Sequence, residues 1–226
     1  MTIEKFSTDF LDAELVTIGG VIHSSPSRSF LIAKRAIDLG FALILLPFLA
    51  LISIMLLLAN RQFNPGPLFY HQERVGKDEQ LFRILKFRTM AGTCDESRFA
   101  DAESDRINQM GRFLRRTRID ELPQILNVLI GQMSMVGPRP EQVDFYNQYV
   151  AQIPGYALRQ QVRPGISGLA QLKYGYTSDV VGTARKLKWD LEYIRRQGFG
   201  VEGYIIWQTM LFVCQRLLNR RTRTKL

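Results

Sequence analysis

The stretch from Leu39 to Ala59 constrains this chain more than any other. It carries no charge and about twenty apolar or small residues in a row, enough to cross a bilayer as one helix. A helix buried in a soluble core seldom runs so long without a polar stripe. Pro47 lies near the middle, where it removes a hydrogen bond and kinks or breaks the helix. Both flanks are basic, with Arg28, Lys34 and Arg35 ahead and Arg61, Arg74 and Lys77 behind, so the positive-inside rule assigns no orientation. Two arrangements satisfy these facts. One is a helix–break–helix that enters one leaflet and returns to the same face, and the other is a kinked single pass. The residues alone leave both open.

The remaining composition bounds the partner. With 226 residues there is room for one domain and an appendage, and 30 Lys+Arg against 21 Asp+Glu leave a net charge of +9. Such an excess suits nucleic acid, anionic lipid or phosphorylated substrates. The uncharged run argues against a plain nucleic-acid binder. Cys94 and Cys214 lie far apart with no ligand-like spacing, which argues against a zinc site and a disulfide framework. His23 and His71 are the only histidines, so histidine-dyad chemistry is not expected.

Acid and base then meet in the stretch Arg115 to Gln124. Arg115, Arg116 and Arg118 precede two adjacent carboxylates, Asp120 and Glu121. Pro123 falls where the first turn of a helix tolerates proline. Leu122, Ile125, Leu126, Leu129 and Ile130 recur at amphipathic spacing, and Gly131 can close the helix. Carboxylates at a helix start are favoured in their charged form by the dipole, which is expected to lower both pKa values. Ionised carboxylates can ligate a hard cation or act as nucleophiles, and arginines grip phosphate oxygens. The same acids could equally be ordinary helix caps.

Elsewhere the chain reads as follows. Met1 to Ser29 is a loose arm with no signal-peptide pattern. Lys34, Arg35 and Asp38 stand at the entrance to the apolar run, and Asp38 there is expected to seek a basic partner. Leu68–Arg74 and Leu81–Arg88 read as a hairpin around Gly76-Lys77-Asp78, with Gln72, Arg74, Lys86 and Arg88 on or near its strands. Asp95 to Asp105 is an acid-rich solvated segment, and a helix with a basic face spans about Asn108 to Thr117. Gly137-Pro138-Arg139-Pro140 and Arg163-Pro164-Gly165 are stiff loops that present an arginine at a fixed angle. Helices are expected over Glu141–Gln152 and over Thr183–Arg196, the second capped by Thr183 and ended by Gly198. Tyr204 to Leu218, with its basic tail Arg216, Arg220, Arg221, Arg223 and Lys225, reads as an interfacial helix on anionic lipid.

Several stretches taken together resemble the bacterial sugar transferases, the monotopic polyprenyl-phosphate phosphoglycosyl transferases that begin exopolysaccharide, capsule and O-antigen assembly. They are Lys34-Arg35-x-x-Asp38, the apolar run with Pro47, Gly66-Pro67-x-Phe69, Gln72-x-Arg74-x-Gly76, Lys86-Phe87-Arg88-Thr89-Met90, Asp120-Glu121-Leu122-Pro123-Gln124, Gly137-Pro138-Arg139-Pro140 and Arg163-Pro164-Gly165-x-x-Gly168. The resemblance covers about Ser29 to the C-terminus. It implies transfer of a sugar-1-phosphate from a UDP-sugar to undecaprenyl phosphate, with Mg²⁺ and release of UMP. Asp120 would be the nucleophile, standing open to solvent just above the lipid, and Glu121 would assist at the metal. Arg115 would bind phosphate, and Pro138-Arg139-Pro140 would line the uridine nucleotide. Lys86, Arg88, Arg74, Gln72 and Arg163 are further substrate-binding candidates. Lys34, Arg35 and Asp38 would form the membrane-entry motif, and the apolar run would re-enter the membrane at Pro47. Family members often carry serine before that proline, where this chain has Leu46.

The expected fold is therefore α+β: a mostly helical monotopic membrane protein with a re-entrant helix-break-helix, a small β-hairpin and interfacial amphipathic helices. Residues 1–29 would be an arm, 30–62 the re-entrant segment and 63–226 a cytosolic catalytic domain at the bacterial inner membrane. Longer relatives carry extra transmembrane helices ahead of this core, and here only the short arm is expected. Membrane lipids are expected partners and nucleic acid is not. The hexose is left open, as is the oligomeric state, a homo-oligomer included. A non-catalytic membrane-anchored adaptor is the competing reading. It predicts that Asp120→Asn changes little, since Asn caps about as well as Asp.

Overall fold

A computed structural model of the chain describes residues 26–63, 66–90, 107, 109–175 and 179–218. The arm up to Ser25, the acid-rich Asp95–Asp105 segment and the tail from Asn219 lie outside the described residues.

Arg28–Phe63 forms one 36-residue helix, α1, with Pro47 inside it. The expected helix–break–helix is thus a single helical element, because a proline deletes one donor while the neighbouring bonds carry the helix past it. It is the one helix among the described residues long and apolar enough to cross a membrane, and only 11% of its most apolar stretch is buried. That exposure removes the alternative of an ordinary core helix. Leu43, Ile44, Phe48, Leu51, Ile54, Met55 and Leu58 all stand exposed along it. Its other face packs on the protein. Ala42, Leu45 and Leu46 before Pro47, and Leu49, Ile52 and Leu56 after it, share one cluster with Phe82, Ile84, Phe87, Ile125 and Val128.

The hairpin is present. Strand β1 (Phe69–Val75) pairs antiparallel with β2 (Leu81–Phe87), in register Phe69 to Phe87 and Val75 to Leu81. Its connection bends through Asp78 and Glu79, both at positive φ. Helix α2 (Gln109–Thr117) follows as expected. The central helix is shorter than its apolar spacing suggests. A 3₁₀ turn spans Ile119–Glu121, and only Gln124–Leu129, α3, is α-helical. Gly131 ends it at φ +91.

A second pairing was not foreseen. The two stiff loops lie side by side as a parallel pair, β3 (Ser134–Val136) with β4 (Gly165–Ser167). Their glycines permit this. A Cβ on Gly165 would sit 2.0 Å from the Gly137 nitrogen, and one on Gly168 would sit 2.4 Å from the Gly137 oxygen. The glycine spacing therefore encodes a close crossing of two backbones.

The C-terminal half forms a second core. Helix α4 (Val143–Gln152), a 3₁₀ segment Tyr156–Gln161, α5 (Leu169–Tyr174), α6 (Val180–Arg195) and α7 (Phe199–Leu218) supply its elements. Tyr146, Tyr149, Tyr156, Leu187, Leu191 and Ile205 fill it. Helix α6 begins earlier than expected and is capped by the Asp179 side chain, which accepts from Gly182 N–H at 3.0 Å. Thr183, the expected cap, lies inside it. Helix α7 leaves Phe199, Tyr204, Trp207 and Met210 exposed.

Candidate active site

The 3₁₀ turn Ile119–Glu121 presents Asp120 and Glu121 to the hairpin and to the loop after β3. Arg118 enters that turn in a left-handed conformation, φ 61, which sends the chain sharply from α2 toward α3. Four cationic groups from four elements then converge. Glu121 Oε1 lies 2.5 Å from Arg139 Nη2, 3.3 Å from Arg118 Nη1 and 3.6 Å from Lys86 Nζ. Its Oε2 takes a longer bond, 3.4 Å, from Arg139 Nη1. Arg74, on β1, donates to Gln72 Oε1 at 2.7 Å and to the Pro140 carbonyl at 3.2 Å. Arg115 sits at the edge and donates to Thr89 Oγ1 at 2.9 Å.

Burial and charge drive the two carboxyls apart. Burial alone would raise the Glu121 pKa, but Arg139, Lys86 and Arg118 outweigh it and hold the group well below the usual carboxylate range. Asp120 is raised instead, by burial first and by the Glu121 charge second, with Lys86, Arg118 and Arg115 opposing. The expectation that a helix end lowers both therefore holds for Glu121 alone, and through cations rather than the dipole. Lys86 is lowered chiefly by burial, and Arg74 falls to about 10 through burial and the nearby Arg139 charge.

Asp120 differs from its neighbour in a second way. Its Oδ1 is buried and has no hydrogen-bond partner among the described residues, and the residue is 8% exposed. Sequence reasoning required an oxygen pair open to solvent, and Oδ1 does not meet that requirement. For Mg²⁺ the donor set is telling. Among the described residues no three His, Cys, Asp or Glu side chains gather. Glu121 already spends both oxygens on cations, so it is poorly disposed as a ligand. Asp120, which stays slightly exposed, would offer at most a single hard oxygen ligand. Mg²⁺ commonly takes one or two carboxylates and completes its shell with substrate phosphates and water.

The other sequence candidates fall in three places. Pro138, Arg139 and Pro140 reach the cluster, as do Lys86, Arg74 and Gln72. Arg88 turns away, donating from Nε to the Pro67 carbonyl at 2.8 Å. Arg163 stands at the far end of α3, where Nε donates to the Gly131 carbonyl at 2.9 Å. Arg35 joins it there, donating to the Val128 and Leu129 carbonyls at 2.7 and 3.0 Å. Both arginines thus complement the carbonyl end of that helix.

At the start of the apolar run Asp38 has no basic partner among the described residues. Its oxygens accept from the Ser134 hydroxyl at 2.8 Å and from Met135 N–H at 3.0 Å. Lys34 pairs instead with Glu202 of α7 at 2.6 Å, and Tyr193 donates to the same carboxylate at 2.7 Å. Glu202, Tyr193 and the buried Arg159–Asp190 pair escaped sequence reasoning. Asp190, Tyr193 and Glu202 lie on helices whose apolar spacing masks the polar residue, and Arg159 lies in a short 3₁₀ segment. The only legible signal was a charge on an otherwise buried face.

Comparison with known proteins agrees with this constellation. Residues 29–216 match the family model described as bacterial sugar transferase. A UDP-N-acetylgalactosamine-undecaprenyl-phosphate N-acetylgalactosaminephosphotransferase of Aeromonas hydrophila is 38% identical over 82% of this chain and 44% of its own length. A UDP-glucose:undecaprenyl-phosphate glucose-1-phosphate transferase of Caulobacter vibrioides is 41% identical over 78% of the chain and 68% of its length. The exopolysaccharide production protein PSS of Rhizobium leguminosarum bv. phaseoli is 36% identical over 80% of the chain and 94% of its length. The chain thus spans less than half of the Aeromonas relative. The family match, laid over a carboxylate pair ringed by cations beside a membrane-length helix, shows that the chain belongs to the bacterial sugar transferase family.

Proposed function

We propose that this protein transfers a sugar-1-phosphate from a UDP-sugar to undecaprenyl phosphate, releasing UMP, at the cytosolic face of the bacterial inner membrane. The observation that carries the reading is the contrast within the acid pair. Glu121 is paired with three cations, while Asp120 keeps a buried oxygen with no partner among the described residues. The relatives' names supply the substrate class. They include both glucose and N-acetylgalactosamine donors, so the hexose is a matter for experiment.

Each residue then has a task. Asp120 attacks the sugar-proximal phosphorus. A carboxylate O–P bond forms, and the bond from that phosphorus to the oxygen bridging to UMP breaks, UMP leaving with the electron pair. A phosphate oxygen of the lipid carrier next attacks the same phosphorus and displaces Asp120, which returns as carboxylate. Burial of Asp120 keeps water from hydrolysing the phosphosugar adduct. Arg74, Lys86, Arg118 and Arg139 supply four positive charges against two carboxylates, the surplus that a diphosphate needs. Glu121 orients Arg139, Lys86 and Arg118 rather than ligating metal. Asp120 and the substrate phosphates would hold Mg²⁺, which when bound offsets phosphate charge and eases departure of UMP.

The lipid substrate sets the location. Both halves of α1 pack on one cluster, so the helix lies against the domain on either side of Pro47. The uncharged run Leu39–Ala59 would extend about 32 Å as a helix, close to the roughly 30 Å hydrocarbon core. The exposed aromatic face of α7 would lie at headgroup level. The direct test is UMP release by purified protein from a panel of UDP-sugars with undecaprenyl phosphate. One donor should give turnover, and silence across the panel would overturn the reading.

A further inference from the structure

Pro138-Arg139-Pro140 offers a single backbone N–H, since proline has none. The segment is held through its carbonyls instead. Gly165 N–H donates to the Pro138 carbonyl at 2.9 Å. Arg159 Nη2 donates to the Arg139 carbonyl at 2.8 Å. Arg74 Nη1 donates to the Pro140 carbonyl at 3.2 Å. Three successive carbonyls therefore meet three donors from three different parts of the chain.

Arg159 is the most elaborately fixed of these donors. It is 3% exposed, and it lies in the 3₁₀ segment Tyr156–Gln161. Its Nε and Nη2 lie 3.0 and 2.8 Å from Asp190 Oδ2, and Nη1 donates to the Tyr156 hydroxyl at 3.0 Å. Glu141, the residue after the segment, lies 3.6 Å away. A fully buried guanidinium must satisfy every N–H it carries, and Asp190 meets only Nε and Nη2. Here the guanidinium spends its remaining donor on the backbone of Arg139, whose own guanidinium contacts Glu121 at 2.5 Å.

We infer that Arg159 is a positioning residue for the transfer reaction: it fixes the backbone from which Arg139 reaches Glu121, without touching substrate itself. The inference rests on the functional reading above. A planar guanidinium can bond Asp190, Tyr156 and the Arg139 carbonyl in three fixed directions, whereas a lysine ammonium keeps the charge and loses that fork. Arg159→Lys thus preserves the charge against Asp190 but frees the loop that carries Arg139.

The test is a double-mutant cycle read in UMP release per folded molecule, using the UDP-hexose that gives turnover with undecaprenyl phosphate. Arg159→Lys should lower kcat about 10- to 100-fold, the scale of an ångström of misplacement. With Arg139→Gln already present the same change should cost less than about 3-fold, because the group it positions is gone. Tyr156→Phe removes one contact to Arg159 and serves if Arg159→Lys does not fold. It should cost about 2- to 5-fold with the same loss of effect in the Arg139→Gln background. Equal losses in both backgrounds, or losses that vanish once the folded fraction is counted, would overturn the inference while leaving the functional reading intact. A wild-type protein that releases no UMP would remove that reading and this inference with it.

Discussion

Two buried aspartates make the instructive comparison. Asp38 at the base of α1 and Asp120 in the turn before α3 are 4% and 8% exposed. Asp38 has both oxygens satisfied by Ser134 and Met135. Asp120 leaves Oδ1 without a partner and sits among cations already committed to Glu121. A satisfied buried acid ties one element to another, here α1 to β3. An unsatisfied one costs stability, and under the proposed mechanism Asp120 serves the chemistry. The difference lies in the partners, and burial alone does not reveal it.

Substitution by asparagine separates the two most sharply. Asp120→Asn should cut UMP release by at least about 10³-fold, the scale set by loss of a nucleophile, in a protein that still folds. Normal turnover by that variant in the panel assay would place the chemistry elsewhere. Asp38→Asn should leave turnover per folded molecule near wild type. It should lower stability by about 1–3 kcal/mol in urea melts, since an amide cannot accept both bonds.

Glu121 gives the next effect. Its folded pKa is depressed, so its stabilising contribution is full above the unfolded value near 4.3 and is lost as pH falls through the folded value. Glu121→Gln should therefore destabilise by about 3 kcal/mol at pH 7, leaving Lys86, Arg118 and Arg139 uncompensated, and by less at about pH 3. A penalty that is flat with pH would contradict the ion-pair account.

The smallest effect carries the opposite sign. The Asp120 pKa is raised in the folded state, so its charge opposes folding, increasingly as pH rises from the unfolded value near 3.9 through the folded one. Asp120→Asn should raise the thermal midpoint by about 1–4 °C at pH 7 and by less near pH 4. A lowered midpoint would assign Asp120 the structural role of Asp38.

The sequence revealed these regions unequally. Uncharged length exposed α1, and alternation between turn residues exposed the hairpin, because both signals are local. The Arg115 to Gln124 stretch stood out as a candidate site, since acids and bases crowd within a few residues. What stayed hidden depends on distant pairing. Gly137, Gly165 and Gly168 read as loop glycines until two backbones are seen to cross at distances a Cβ would block. Lys34 and Glu202 are 168 residues apart in the chain, and nothing near either names the other. Arg163 and Arg88 looked like phosphate ligands by residue type, yet their Nε donors point to the Gly131 and Pro67 carbonyls.

The central claim is that Asp120 carries the phosphosugar. Intact-protein mass spectrometry after incubation with the active UDP-sugar, without lipid carrier, reads this directly. Wild-type protein should gain the mass of one sugar-phosphoryl group, lose it on addition of undecaprenyl phosphate, and show no gain when Asp120 is Asn. Full turnover with no adduct at Asp120, or an adduct that survives Asp120→Asn, would contradict the account.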